Sequence, residues 1–252
     1  MKMKTDINVL RIAGCLACWL LFGAPATAQH WDGNILVGYN IGGSTPTPMP
    51  AEIRSINYAP DLWSPNVGVE VVCWLNDKWG IAMQVACEHK GFAVDSRVKS
   101  LYTEIIMNDG SVQSGNFTGE NSTRINNTWL TAPLKVVYSA SERWSSYAGV
   151  YIAYLLRPQF TGAASDGYMR RGAPTGEKVE VVDATFDFSD SQNRFDYGLL
   201  LAERWHLNGK MALVGQLSYG LRPLFPDSFS AMPFKMYNIY GTLGLCYKAF
   251  SR

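Results

Sequence analysis

The sequence predicts an all-β fold: an eight-stranded antiparallel up-and-down transmembrane β-barrel with long extracellular loops. Three observations carry this expectation. Stretches of about ten residues alternate apolar with polar or small side chains, the period-two pattern of strands with two different faces. The connections between those stretches alternate short and long, as they do in outer-membrane barrels. The chain opens on an export leader, and no later run approaches the roughly 20 apolar residues that a membrane-spanning helix needs.

Composition narrows the classes further. Thirteen Tyr, eight Trp and 23 Gly in 252 residues suit strands, tight turns and an interfacial aromatic belt. A net charge of +1 with 17% charged residues supplies no basic stripe, so nucleic acid is not an expected partner. At the N-terminus, Lys2, Lys4 and Arg11 precede the apolar run Ile12 to Phe22, and Ala26-Thr27-Ala28 forms a small-residue cleavage site. Residues 1–28 therefore read as a signal peptide and 29–252 as the barrel domain. Ile12-Ala13-Gly14-Cys15 has the pattern of a lipobox, but it opens the apolar segment instead of following it, which argues against lipid modification. Cys73, Cys87 and Cys246 remain after cleavage; their odd number argues against a disulfide framework, and they read as buried small hydrophobes.

The strands follow in order. Ile35, Val37, Tyr39 and Ile41 mark the first; Val67, Val69, Val71, Cys73 and Leu75 the second; Ile81, Met83, Val85 and Cys87 the third. Leu130, Ala132, Leu134 and Val136 mark the fourth, and Ala148, Val150, Ile152, Tyr154 and Leu156 the fifth. Phe195, Tyr197, Leu199 and Leu201 define the sixth, Met211, Leu213, Leu217, Tyr219 and Leu221 the seventh, and Tyr237, Ile239, Leu243, Leu245 and Tyr247 the eighth. Short joins fall at Asn76 to Lys78, Ala140 to Arg143 and Leu207 to Gly209. Four long ones, expected as loops, run from Gly43 to Pro65, Ala93 to Asn126, Thr161 to Gln192 and Pro223 to Lys235.

Alternation does not say which face is inside, so the charges must decide. The apolar row is nearly free of charge, as a lipid-facing surface requires, because an Arg or Lys at mid-depth costs about 2–4 kcal/mol. The opposite row combines Gly and Ala with Glu70, Glu88, Lys135, Arg157, Asp196, Arg204 and Lys248, a set that reads as a polar network within a narrow lumen. With Trp74, Tyr151 and Tyr240 also inward, such a lumen is filled by side chains and is no general pore. Trp31, Trp79, Trp144 and Trp205 lie near strand ends, as an aromatic girdle would, whereas Trp74 and Trp129 are expected in the interior.

Three segments resemble one family. Thr128 to Lys135 is similar to the Pro-Leu strand, Tyr147 to Leu156 to the Gly-and-Tyr strand, and Arg194 to Gly198 to the Asp-aromatic-Gly strand start of the PorT-like, porin-family outer-membrane barrels of Bacteroidetes-type bacteria. The resemblance covers the whole mature chain and implies a non-enzymatic outer-membrane protein that anchors surface loops for binding, envelope integrity or assistance to secretion. Phe250 resembles the terminal aromatic read by barrel-assembly machinery, but Ser251 and Arg252 follow it and its parity differs from that of Tyr247.

No catalytic, metal or cofactor site is expected. Of the three His, only His89 lies toward the outer rim, where a lipid-modifying enzyme would place its base. Asp183, Asp187 and Asp190 lack the EF-hand spacing and its Gly. The expected partners are membrane lipid, assembly machinery and surface partners met through the long loops. The loop residues that would meet them include Arg97, Lys99, Tyr102, Glu104, Arg170, Arg171, Glu177 and Lys178. The rival readings are a lipid-modifying outer-membrane enzyme and a secreted lipocalin-like ligand-binding barrel with its apolar row turned inward.

Overall fold

The structure, a computed structural model, describes residues 30–107, 110–171 and 175–252; the expected signal peptide lies outside them. The strands are β1 (Trp31–Pro46), β2 (Ile53–Pro60), β3 (Pro65–Trp74), β4 (Trp79–Met107), β5 (Val112–Ser141), β6 (Trp144–Arg157), β7 (Phe160–Arg171), β8 (Lys178–Asp187), β9 (Phe195–His206), β10 (Met211–Gly220) and β11 (Met236–Ser251). That makes eleven strands among the described residues, not the expected eight.

Eight of them pair in a closed antiparallel ring in the order β1, β3, β4, β5, β6, β9, β10, β11 and back to β1. These correspond to the eight alternating stretches of the sequence. The other three lie within connections expected as loops. β4 and β5 continue for 29 and 30 residues, far beyond the roughly 9–11 that a tilted strand needs to cross a bilayer. On their protruding halves β2 pairs with β4, β7 with β5, and β8 with β7, while the tip of β4 meets β8 at Ile106 and Met107.

The ring is inverted relative to a soluble barrel. Val69, Val71, Leu199 and Leu245 are 60%, 40%, 51% and 45% exposed, whereas Glu70, Lys135 and Arg204 are 1–3% exposed. The lipocalin-like alternative required the opposite sense. Trp79, Trp144 and Trp205 are exposed at the short-turn end, with Trp79 against Tyr138 at 4.7 Å and Trp144 opposite Trp205. Trp129 is buried, and Trp74 lies half-buried with its indole N–H on Asp32. At the other end Tyr154 packs edge-on against Phe195 at 5.0 Å, and Tyr219 stacks on Tyr237.

A register shift corrects the parity read from sequence for Phe250. The β1–β11 ladder skips Ala249, so Phe250 returns to the outward face, where its ring covers Gly33. A Cβ at Gly33 would lie 2.0 Å from that ring, so any larger residue there would displace the Phe250 side chain. The three cysteines do not all pack inside: Cys246 is buried, Cys73 is half-buried and Cys87 is exposed on the outward row.

The outward face supports a direct test. Leu199→Arg, mid-strand on β9, should cost about 2–4 kcal/mol of folding free energy in lipid, measured by urea unfolding in vesicles. Glu203→Leu, near the short-turn end, should cost nothing measurable by the same method.

Candidate functional site

The lumen is built in layers from the inward row of each ring strand. At its centre Glu70 of β3 accepts from Lys135 of β5 at 2.5 Å and from Arg204 of β9 at 2.7 Å. Lys135 also donates to the Gln84 side chain at 2.7 Å, and Asn34 donates to Glu70 at 3.2 Å. Tyr147 presents its ring to both cations, 4.3 Å from the Arg204 guanidinium carbon and 5.4 Å from Lys135 Nζ. One carboxylate between two cations is compatible with a buried position because each group keeps hydrogen-bond partners in the low dielectric.

The layer above pairs Glu88 with Lys90 at 2.8 Å, and Asn66 donates to Glu88. Lys90 lies over the rings of Tyr151 and Tyr240, and Asp196 accepts from Tyr151 and Asn238. Below the centre, at the short-turn mouth, Lys248 meets Asp32 at 2.9 Å and Ser145 Oγ lies 3.1 Å from His206 Nε2.

Of the seven residues expected in this network, Glu70, Lys135 and Arg204 form its centre, Glu88 and Asp196 the upper layer, and Lys248 the partly exposed lower mouth. Arg157 is the exception. The β5–β6 ladder skips Leu156, which reverses the parity of the next residue and leaves Arg157 exposed. Lys90 and Asp32 were missed. Lys90 shares the inward parity of Glu88 two residues earlier, so extending the strand past Glu88 would have found it.

Above the ion layers an aromatic stopper fills the long-loop end, which is extracellular in barrels of this kind. The segment Pro223 to Lys235, expected as a loop, folds inward, burying Leu224, Phe225 and Ala231. Phe225 stacks on Phe229 at 4.3 Å and meets Phe160 at 5.1 Å, while Phe188 meets Phe229 at 5.1 Å.

Beside this stopper lies a cavity of about 460 Å³. It falls within the roughly 300–1,000 Å³ of small-molecule sites. Its deep wall includes Phe92, Ile125, Phe160 and Phe186, and no charged residue lines it. Its rim is exposed at Ile41, Met49, Ile56 and Tyr58. The rim coincides with an interruption of the wall. Beyond Tyr39, β1 no longer pairs with β3, and no ladder joins it to β2 among the described residues. The Tyr58 hydroxyl bridges the two instead, donating to the Gly42 carbonyl at 2.7 Å and accepting from the Gly42 N–H at 3.3 Å.

Seven of the eight residues expected to meet partners lie on strands, not loops. Arg97, Lys99, Tyr102 and Glu104 are exposed along β4; Arg171 is exposed on β7, where Arg170 is half-buried; Glu177 and Lys178 are exposed at and just before the start of β8. His89 is half-buried with Nδ1 3.1 Å from Thr128 Oγ1. Among the described residues no group of three or more metal-ligating side chains converges.

This inverted ring with a filled lumen defines the class, a membrane β-barrel. Residues 27–226 match the outer membrane protein beta-barrel domain family, and the chain belongs to that family; it is a bacterial outer-membrane β-barrel protein. Among solved structures it is similar to the attachment invasion locus protein Ail of Yersinia pestis, at 9% identity, covering 88% of this chain and 99% of that one, with a TM-score of 0.36. It is also similar to the outer membrane protease OmpT of Escherichia coli, at 10% identity, 87% and 96% coverage and a TM-score of 0.35. Neisserial surface protein A gives 7%, 88% and 97%, and 0.29. Likenesses this distant carry no functional argument. No curated protein matches the chain.

Glu70→Ala would leave Lys135 and Arg204 buried without their counter-charge, an expected loss of about 3–5 kcal/mol. Equilibrium unfolding in lipid vesicles measures it; Glu203→Ala, on the exposed face, serves as the near-neutral control.

Proposed function

We propose that this outer-membrane protein is a non-conducting, non-enzymatic anchor that holds an extracellular β-structured extension for binding. The observation that carries this reading is the double closure of the lumen, by the Glu70, Lys135 and Arg204 cluster at its centre and by the phenylalanine stopper at its outer end. Eight strands leave an interior only wide enough for side chains, and here side chains occupy it. What remains available to a ligand is the extension formed by β2, the outer halves of β4 and β5, β7 and β8.

That extension is built for contact with water. Along β4 the outward row changes from Ile81, Met83 and Val85 to Asp95, Arg97 and Lys99, while the inward row changes from Gln84, Glu88 and Lys90 to Phe92, Val98 and Leu101. An apolar interior under a charged surface is the arrangement of a soluble domain. Envelope integrity or assistance to secretion, which the PorT-like resemblance implies, would act through this surface. Assembly machinery would meet the terminal strand, where Phe250 faces lipid.

Purified protein reconstituted in planar bilayers should show no stable nanosiemens-scale openings. Reproducible openings of that size by the unmodified chain would reject the anchor reading. Cells lacking the protein, or carrying His89→Ala, should keep an unchanged envelope lipid profile by mass spectrometry; a missing lipid species in both would establish the enzymatic alternative.

A further inference from the structure

We propose that the apolar cavity holds a hydrocarbon chain of an outer-leaflet lipid, inserted sideways through the seam between β1 and β2. This rests on the reading of the extension as the binding element and names what one part of it binds. Three observations converge on that occupant.

The first is chemistry. The cavity walls are aromatic and aliphatic, its few polar groups are uncharged, such as Asn121, Thr123 and Thr103, and its volume suits one chain rather than a folded partner. A charged or sugar-like ligand would find no ionic partner there, whereas a hydrocarbon chain would meet apolar walls at Phe92, Ile125 and Phe186.

The second is continuity with the membrane face. Ile41 continues the outward row of Ile35 and Val37 on β1, and Ile239 continues that of Leu245 and Leu243 on β11; both also line the cavity. Ile239 pairs across the ladder with Tyr219, itself stacked on Tyr237. The opening therefore sits at the level of the outer aromatic belt, where chains of the outer leaflet reach their headgroups.

The third is the seam itself. Elsewhere around the ring adjacent strands are joined by ladders of backbone hydrogen bonds. Here one phenol takes the place of a ladder, and β2 is an edge strand bound only to β4. Separating β1 from β2 at this level breaks two hydrogen bonds, both made by Tyr58, so a chain can pass without unravelling the ring.

The test uses the full-length protein in phosphatidylcholine nanodiscs that contain a phospholipid with a diazirine in mid-chain. After irradiation, mass spectrometry should find label on the inward residues Phe92, Ile125 or Phe186 as well as on the outward row. Ile56→Trp, at an exposed rim position outside the ring, should reduce the inward label about tenfold, equivalent to roughly 1.4 kcal/mol of lost binding. Tyr58→Phe should label the interior faster than the unmodified chain. Label confined to the outward row overturns the proposal. So does inward labelling by a free diazirine fatty acid but not by the phospholipid. Either result leaves the anchor reading in place, since that reading falls only on conductance or a lost lipid species.

Discussion

Hydrocarbon offers no partner to a backbone N–H or C=O, so every strand that crosses it must be paired on both sides. That constraint organises this molecule. It forces β1 to meet β11 over nearly the whole of both strands, and it draws both ends of the barrel domain to one place, where Trp31 and Arg252 exchange backbone hydrogen bonds. Closure at eight strands then fixes a narrow interior. A narrow interior that excludes bulk water must satisfy whatever charges face it, and four acids, Asp32, Glu70, Glu88 and Asp196, share the lumen with four bases, Lys90, Lys135, Arg204 and Lys248. The ion network follows from the ring.

Where the constraint ends, the structure changes its rules. β4 and β5 leave the membrane without ending, and the solvent around them becomes water. The same two strands then exchange the roles of their faces, polar outside and apolar inside. Backbone groups at the outer interface and beyond it can be satisfied by water or by single side chains, so the wall no longer has to be continuous there. The Tyr58 bridge at Gly42 is tolerable for that reason, and it would be costly at mid-membrane depth. The bulges of the extension belong to the same regime. Ser100, at φ 58°, is the extra residue where β4 slips against β5, and its N–H is taken up by the Thr118 hydroxyl.

Much of the barrel was legible because lipid imposes a strict period. The outward rows of all eight ring strands, the short turns and the central residues Glu70, Lys135 and Arg204 follow from alternation combined with the exclusion of charge from lipid. What escaped did so for local reasons. Alternation places Arg157 inward because it cannot reveal a one-residue skip at Leu156, and it gives Phe250 the wrong parity through the equivalent skip at Ala249. β2 and β7 read as loops because Ser, Asn and Pro in the one and Gly and Ser in the other interrupt the pattern, and β8, which has none of these, because its buried row, Val181, Ala184 and Phe186, is the apolar one, the reverse of the ring strands. The phenylalanine stopper left only a faint trace, the recurrence of Phe225, Phe229 and Phe234 in a segment otherwise read as turn. The cavity and its seam left none, since they arise from what β1 does not pair with.

The reversal of faces along β4 is the claim on which the membrane placement, the extension and the cavity all depend. A cysteine scan from Ile81 to Glu104, spin-labelled in lipid vesicles and read by paired oxygen and nickel-chelate accessibility, measures it directly. Oxygen accessibility should peak at 81, 83 and 85, and nickel accessibility at 95, 97, 99 and 104, with 84, 88, 92 and 98 protected from both. Oxygen peaks at 82, 84 and 86, or an outward row accessible to oxygen along its whole length, would contradict the account.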